Sequence, residues 1–97
     1  MSKFDQAKLL MKARKLQKEL QREIITVETG GGAVKVEISG EQKIQHINID
    51  SEKVDLDDIS QLEGWLEEAV KQAISRSQQL AAEKMKPMMG ALSGLGM

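Results

Sequence analysis

Residues 24–50 read IITVETGGGAVKVEISGEQKIQHINID, and this stretch decides the fold. Residues 33–39 alternate cleanly: Val34, Val36 and Ile38 fall on one face, and Lys35, Glu37 and Ser39 on the other. That is the period-two signature of a strand with one buried side. The preceding IITVET at 24–29 is β-rich and short, and Gly30-Gly31-Gly32 supplies the turn between the two. Gly40-Glu41 marks the next turn, and KIQHINID at 43–50 reads as a third strand. Its Ile44 is out of phase with Ile47 and Ile49, so a β-bulge near Gln45 and His46 is expected. Three short strands joined by short turns form an antiparallel meander.

Outward from the meander, both flanks are helical. On the N-terminal side, residues 3–24 carry Leu9, Ala13, Leu16 and Leu20 at alternating four- and three-residue spacing, a heptad seam flanked by Leu10 and Ile24. Ser2 with Asp5 three positions later fits a helix-start signal. On the C-terminal side, a second helix is predicted from about Leu56 to Lys86. Asp55 suits its N-cap and Asp58 its third position, since carboxylates are favoured at a helix N-terminus. Its seam is Ile59, Leu62, Leu66, Ala69, Ala73, Ser77 and Leu80, widened by Val70 and Ile74, and Pro87 is expected to end it. Residues 88–97, MMGALSGLGM, carry no charge and read as a flexible Gly/Met tail after a single domain at 1–87. The fold class is α+β, in the order α-β-β-β-α.

Size and composition set further limits. A chain of 97 residues buries little more than ~60% of its unfolded surface and is marginal alone. It has no cysteine, so neither a disulfide nor a thiolate metal site can brace it, and dimerisation is the remaining route to a larger core. The second helix is also longer than so small a globule needs. No apolar run approaches the ~18–20 residues that span a bilayer, and the N-terminus lacks the apolar core of a signal peptide. The expectation is a cytoplasmic protein with no membrane segment.

Chemical motifs are few. His46 is the single histidine and sits in mid-strand, where a structural or surface role is the expected one. No serine or carboxylate lies in a nucleophile-elbow or paired-acid context, so no enzyme, cofactor or small-molecule substrate is indicated. Counting an EF-hand loop from Asp50 puts Val54 at position 5, Asp55 at position 6 and Gln61 at position 12, which fails, so no metal site is expected. The glycine triplet precedes a strand rather than a helix and matches no phosphate-binding loop. Met11, Met85, Met88 and Met89 read as gap-filling core or tail residues. Phe4 and Trp65 are the only aromatics, too few and too scattered for base stacking along a single strand.

Charge is where the chain is unusual. Residues 1–25 hold seven basic and three acidic residues, net +4, while residues 26–97 hold seven basic and twelve acidic, net −5. The overall −1 therefore hides a polarised molecule. Lys8, Lys12, Arg14, Lys15, Lys18 and Arg22 share the side of the first helix away from the leucine seam. Such a stripe is either a solvated helix face or an electrostatic footprint for phosphate. Arg76, Lys84 and Lys86 on the second helix are weaker candidates to extend it. Leu9, Leu16, Leu20, Leu62, Leu66 and Ala73 are the candidate core or dimer seam. Two long helices around a small sheet also suit a protein-interaction or prefoldin-like chaperone module, or a coiled-coil adaptor.

The pattern resembles the YbaB/EbfC family of bacterial nucleoid-associated proteins. LLMKARKLQKEL at 9–20, GGGAVKVEISG at 30–40, INID at 47–50, VDLDD at 54–58, EEAVKQAI at 67–74 and EKM at 83–85 carry the resemblance along nearly the whole chain. The family often has proline where Leu56 stands, and charged and aliphatic residues where Gly64 and Trp65 stand. The resemblance implies a homodimer with tweezer-like helical arms, located in the bacterial nucleoid, that binds double-stranded DNA and alters its conformation.

Overall fold

The computed structural model of the protein describes residues 3–95. Along the chain come α1 (Lys3–Arg22), β1 (Ile24–Thr29), one 3-10 turn at Gly30–Gly32, β2 (Val34–Ser39), β3 (Ile44–Ile49) and α2 (Ile59–Leu95). The three strands lie in the order β1-β2-β3, both pairs antiparallel. This is the α-β-β-β-α meander that the alternation implies. The glycine triplet takes positive φ at all three positions, +62°, +65° and +95°, a run that side chains with a Cβ resist. Ser2 of the helix-start signal lies outside the described residues.

The bulge is where the phase break predicts it. Glu37 pairs with His46 but Ile38 pairs with Ile44, so Gln45 is the extra residue. The insertion returns Ile44 to the face shared by Ile47 and Ile49, which stand opposite Val36 and Val34. Ile25 and Val27 of β1 stand opposite Ile38 and Val36 on that same face.

The N-terminal half of α2 packs across this face. Val27, Val34, Val36, Ile38, Ala69 and Ala73 form the buried core, with Ile25, Leu62, Trp65, Leu66 and Val70 packed around them. Small residues on α2 let the helix approach the sheet closely. Ser77, buried on the same seam, donates its hydroxyl to the Ser39 carbonyl at 2.8 Å and so meets its hydrogen-bonding need. At the other end Trp65 covers the glycine turn, and Thr29 Oγ1 donates to the Trp65 carbonyl at 2.8 Å. The sheet is only partly roofed, because α2 sits over β1 and β2. Ile44, Ile47 and Ile49 of β3 remain 42%, 41% and 43% exposed.

Both predicted ends of α2 need correction. The helix begins at Ile59, and Asp58 is its N-cap: its Oδ1 accepts the Gln61 N–H at 3.2 Å. Asp55 instead heads the turn before, accepting the Asp57 N–H on its side chain at 2.9 Å and the Asp58 N–H on its carbonyl at 3.0 Å. Pro87 does not stop the helix, which runs through it to Leu95, so residues 88–95 continue the helix, and residues 96–97 of the expected tail lie outside the described residues. A proline inside a helix forfeits one backbone hydrogen bond. Here the seam beyond it still has a partner, since Pro87 and Met88 face Leu9 and Leu16 of α1. Ile74 is also 38% exposed and does not widen the core stripe. At 37 residues α2 is about 55 Å long, which accounts for most of the molecule's 64 Å long axis.

Candidate nucleic-acid interface

α1 lies along the C-terminal half of α2 and runs antiparallel to it. Leu9, Ala13, Leu16 and Leu20 are half-buried on the side that meets α2 and the sheet end. The base of α1 is fixed by two independent sets of contacts. The Gly40 N–H donates to the Leu20 carbonyl at 2.8 Å and the Glu23 carbonyl at 2.9 Å, serving two acceptors that the helix end leaves open. A Cβ on Gly40 would lie 2.9 Å from the Leu20 carbonyl oxygen, so only glycine permits this approach. Lys84 Nζ of α2 lies 3.1 Å from Glu23 and 3.9 Å from Glu19. Beyond these anchors the two helices part around a cleft of about 280 Å³, floored by Leu9, Leu16, Pro87 and Met88 and edged by Lys12 and Lys15.

The other side of α1 is open. Lys8, Lys12, Arg14, Lys15, Lys18 and Arg22 are all exposed, and among the described residues none of them is in an ion pair. At about 100° per residue they occupy an arc of about 160°, centred about 150° from the leucine seam. Of the three acids in this segment, Glu19 and Glu23 are faced by Lys84 of α2, which offsets part of their charge.

The second-helix candidates divide. Lys84 lies on the inward seam and serves the two glutamates. Lys86 is exposed about 160° around α2 from Lys84, on the side away from α1. Arg76 is exposed nearer the sheet. Leu62, Leu66 and Ala73 belong to the core against the sheet, so the two halves of the candidate seam serve different contacts. Met11, expected as core filling, is 69% exposed beside Lys8, Lys12 and Lys15.

Sequence reasoning missed the roles of Gly40 and Lys84. Both act on residues remote in the chain, and the only local sign was a glycine after a strand.

The acidic segment is kept away from the arm. Asp50, Asp55 and Asp58 are spent on local turns and the helix cap, and Lys53 Nζ binds the Gly31 carbonyl at 3.2 Å. Among the described residues no group of three or more His, Cys, Asp or Glu is placed to hold a metal ion, and no helix is long and apolar enough to cross a membrane. Asp58 and Lys84 are 26 residues apart along α2, about 39 Å. That is several Debye lengths at physiological salt, about 8 Å each. A net charge of −1 therefore does not cancel the field of the arm.

Comparison with known proteins shows the family. A model of the YbaB/EbfC DNA-binding family matches residues 1–92. The chain belongs to that family. A nucleoid-associated protein of Chloroflexus aurantiacus is 42% identical over 82 residues, covering 84% of this chain and 82% of the relative. One from Nocardia farcinica is 36% identical over 101 residues, covering 97% and 92%. The crystal structure of an uncharacterized Helicobacter pylori protein superposes with a TM-score of 0.78 at 19% identity, covering 86% of this chain and 87% of that one, which speaks to the fold alone. The family is described as DNA-binding, and the named relatives are nucleoid-associated proteins.

Proposed function

We propose that the protein binds double-stranded DNA mainly through phosphate contacts from the exposed face of α1, with low or modest sequence specificity. The observation that carries this reading is the set of six exposed cations, Lys8, Lys12, Arg14, Lys15, Lys18 and Arg22, none of them in an ion pair among the described residues, on one side of a helix whose other side is occupied. Phosphate neutralisation is the largest sequence-independent term in DNA binding, and cations already committed to carboxylates do not supply it.

The working unit in this reading is a homodimer. Ile44, Ile47 and Ile49 continue the core face of the sheet past the edge of α2 and remain exposed on an edge strand. A second copy seated there buries them and sets two α1–α2 arms on one body. The paired arms straddle a duplex and alter its conformation, which connects binding in the nucleoid to gene expression. Lys84 contributes by holding α1 in place, and Arg76 and Lys86 stand outside the stripe.

The test replaces Lys8, Lys12 and Lys15 together by glutamate. All three are exposed, so helicity and oligomeric mass stay unchanged while the mobility shift of a random-sequence duplex is lost. Unchanged affinity in that variant removes α1 from the mechanism. Suppression of client aggregation without any mobility shift favours a chaperone role instead.

A further inference from the structure

Two of the most exposed apolar side chains of the molecule sit in the middle of the basic stripe. Phe4 is 68% exposed and Met11 is 69% exposed. At about 100° per residue the two lie about 20° apart around α1. Lys3, Arg14 and Lys18 fall to one side of them and Lys8, Lys12 and Lys15 to the other, while Arg22, three turns beyond Met11, falls in line with them. The Lys8 ammonium stands over the Phe4 ring, 4.8 Å from its centroid, and holds the ring within the stripe. α2 packs on the far side of α1, so among the described residues nothing covers this line.

That order around the helix, cations, apolar line, cations, has a direct counterpart in the B-DNA major groove. The groove is about 12 Å wide and admits one α-helix between two phosphate walls. A helix lying in it turns its flanking residues to the two backbones and its central line to the base edges. The apolar feature on those edges is the thymine 5-methyl group. Phe4 and Met11 are seven residues apart, about 10.5 Å along the helix. That is about three base-pair steps of ~3.4 Å, so both reach the floor of one groove segment.

We infer that α1 lies in the major groove with Phe4 and Met11 against thymine methyl groups, which gives an otherwise phosphate-driven contact a preference for A·T-rich sequence. The inference rests on the proposed DNA contact through α1 and adds to it a base-reading element. Methyl contacts release no counterions, so they add affinity without altering the salt dependence.

The test uses the full-length chain and two duplexes of the same A·T-rich sequence, one with thymidine and one with deoxyuridine throughout. The deoxyuridine duplex keeps its phosphates and its Watson–Crick pairing and lacks only the methyl groups. Each methyl buried against an apolar side chain is worth about fourfold in affinity. The wild-type protein is therefore expected to bind the thymidine duplex at least about fourfold more tightly. The F4A/M11A variant is expected to bind both duplexes equally, with an unchanged salt slope. Equal wild-type affinity for the two duplexes overturns the inference, as does discrimination that survives in F4A/M11A. Absence of salt-sensitive binding to either duplex overturns the phosphate reading itself, and the inference with it.

Discussion

Gly30→Ala is the substitution whose cost the structure specifies best. Gly30 has φ +62°, and a Cβ built there lies 2.5 Å, 2.7 Å and 2.7 Å from ring atoms of Trp65. The left-handed conformation costs a residue with a Cβ about 1–2 kcal/mol. Forcing a methyl into an occupied space adds about 1–3 kcal/mol, because the ring must leave its place. The neighbouring residue separates the two terms. Gly31 has φ +65° but nothing within 4 Å of its built Cβ, so Gly31→Ala carries the conformational cost alone. Urea unfolding followed by far-ultraviolet circular dichroism should therefore show Gly30→Ala losing about 2–5 kcal/mol and Gly31→Ala about 1–2. Adding Trp65→Leu to Gly30→Ala should recover part of the difference, a coupling expected for residues in direct contact. Equal losses at Gly30 and Gly31, or strict additivity with Trp65→Leu, would refute the argument that the ring occupies this site.

Gly40→Ala places a Cβ 2.9 Å from a backbone oxygen of Leu20, so it should cost about 1–3 kcal/mol in urea unfolding and weaken DNA binding by loosening the base of α1. Gln42 has φ +67° in the β2–β3 turn without being glycine, so Gln42→Gly should raise stability by about 0.5 kcal/mol and leave DNA affinity unchanged. Replacing Ile47 and Ile49 together by glutamate should convert the proposed dimer to a monomer in sedimentation equilibrium, and a wild type that is monomeric, or a dimer that persists in the variant, overturns the assignment of this face.

The sheet was legible because alternation is a local signal. Val34, Val36 and Ile38 announce their face without help, and the misphased Ile44 announces its own bulge. The ends of α2 were less legible for a different reason. Asp55, Asp57 and Asp58 are chemically equivalent caps, and the choice depends on where the loop from β3 delivers the chain. Pro87 is a local stop signal overruled by a distant partner, since its seam continues against Leu9 and Leu16. The stripe on α1 could be drawn from spacing alone, because all its members lie on one helix. Lys84 could not be assigned that way. Its charge suggests a phosphate contact, but its place is fixed by Glu19 and Glu23, which lie on the other helix. Met11 was misread because methionine usually fills gaps, although its spacing already puts it on the side of α1 opposite the leucine seam.

In the proposed mode of binding the outward face of α1 meets DNA phosphates. The most direct test is the salt dependence of binding to a random duplex, measured for the wild type beside a Lys8, Lys12 and Lys15 to glutamate variant titrated from lower salt. If the six cations of one arm each neutralise a phosphate, log affinity falls against log salt with a slope of about −5, and steeper if two arms engage. Loss of three contacts per arm should flatten that slope by about 2.7 for each arm engaged. A slope near zero, or one that the triple substitution leaves in place, would contradict the account.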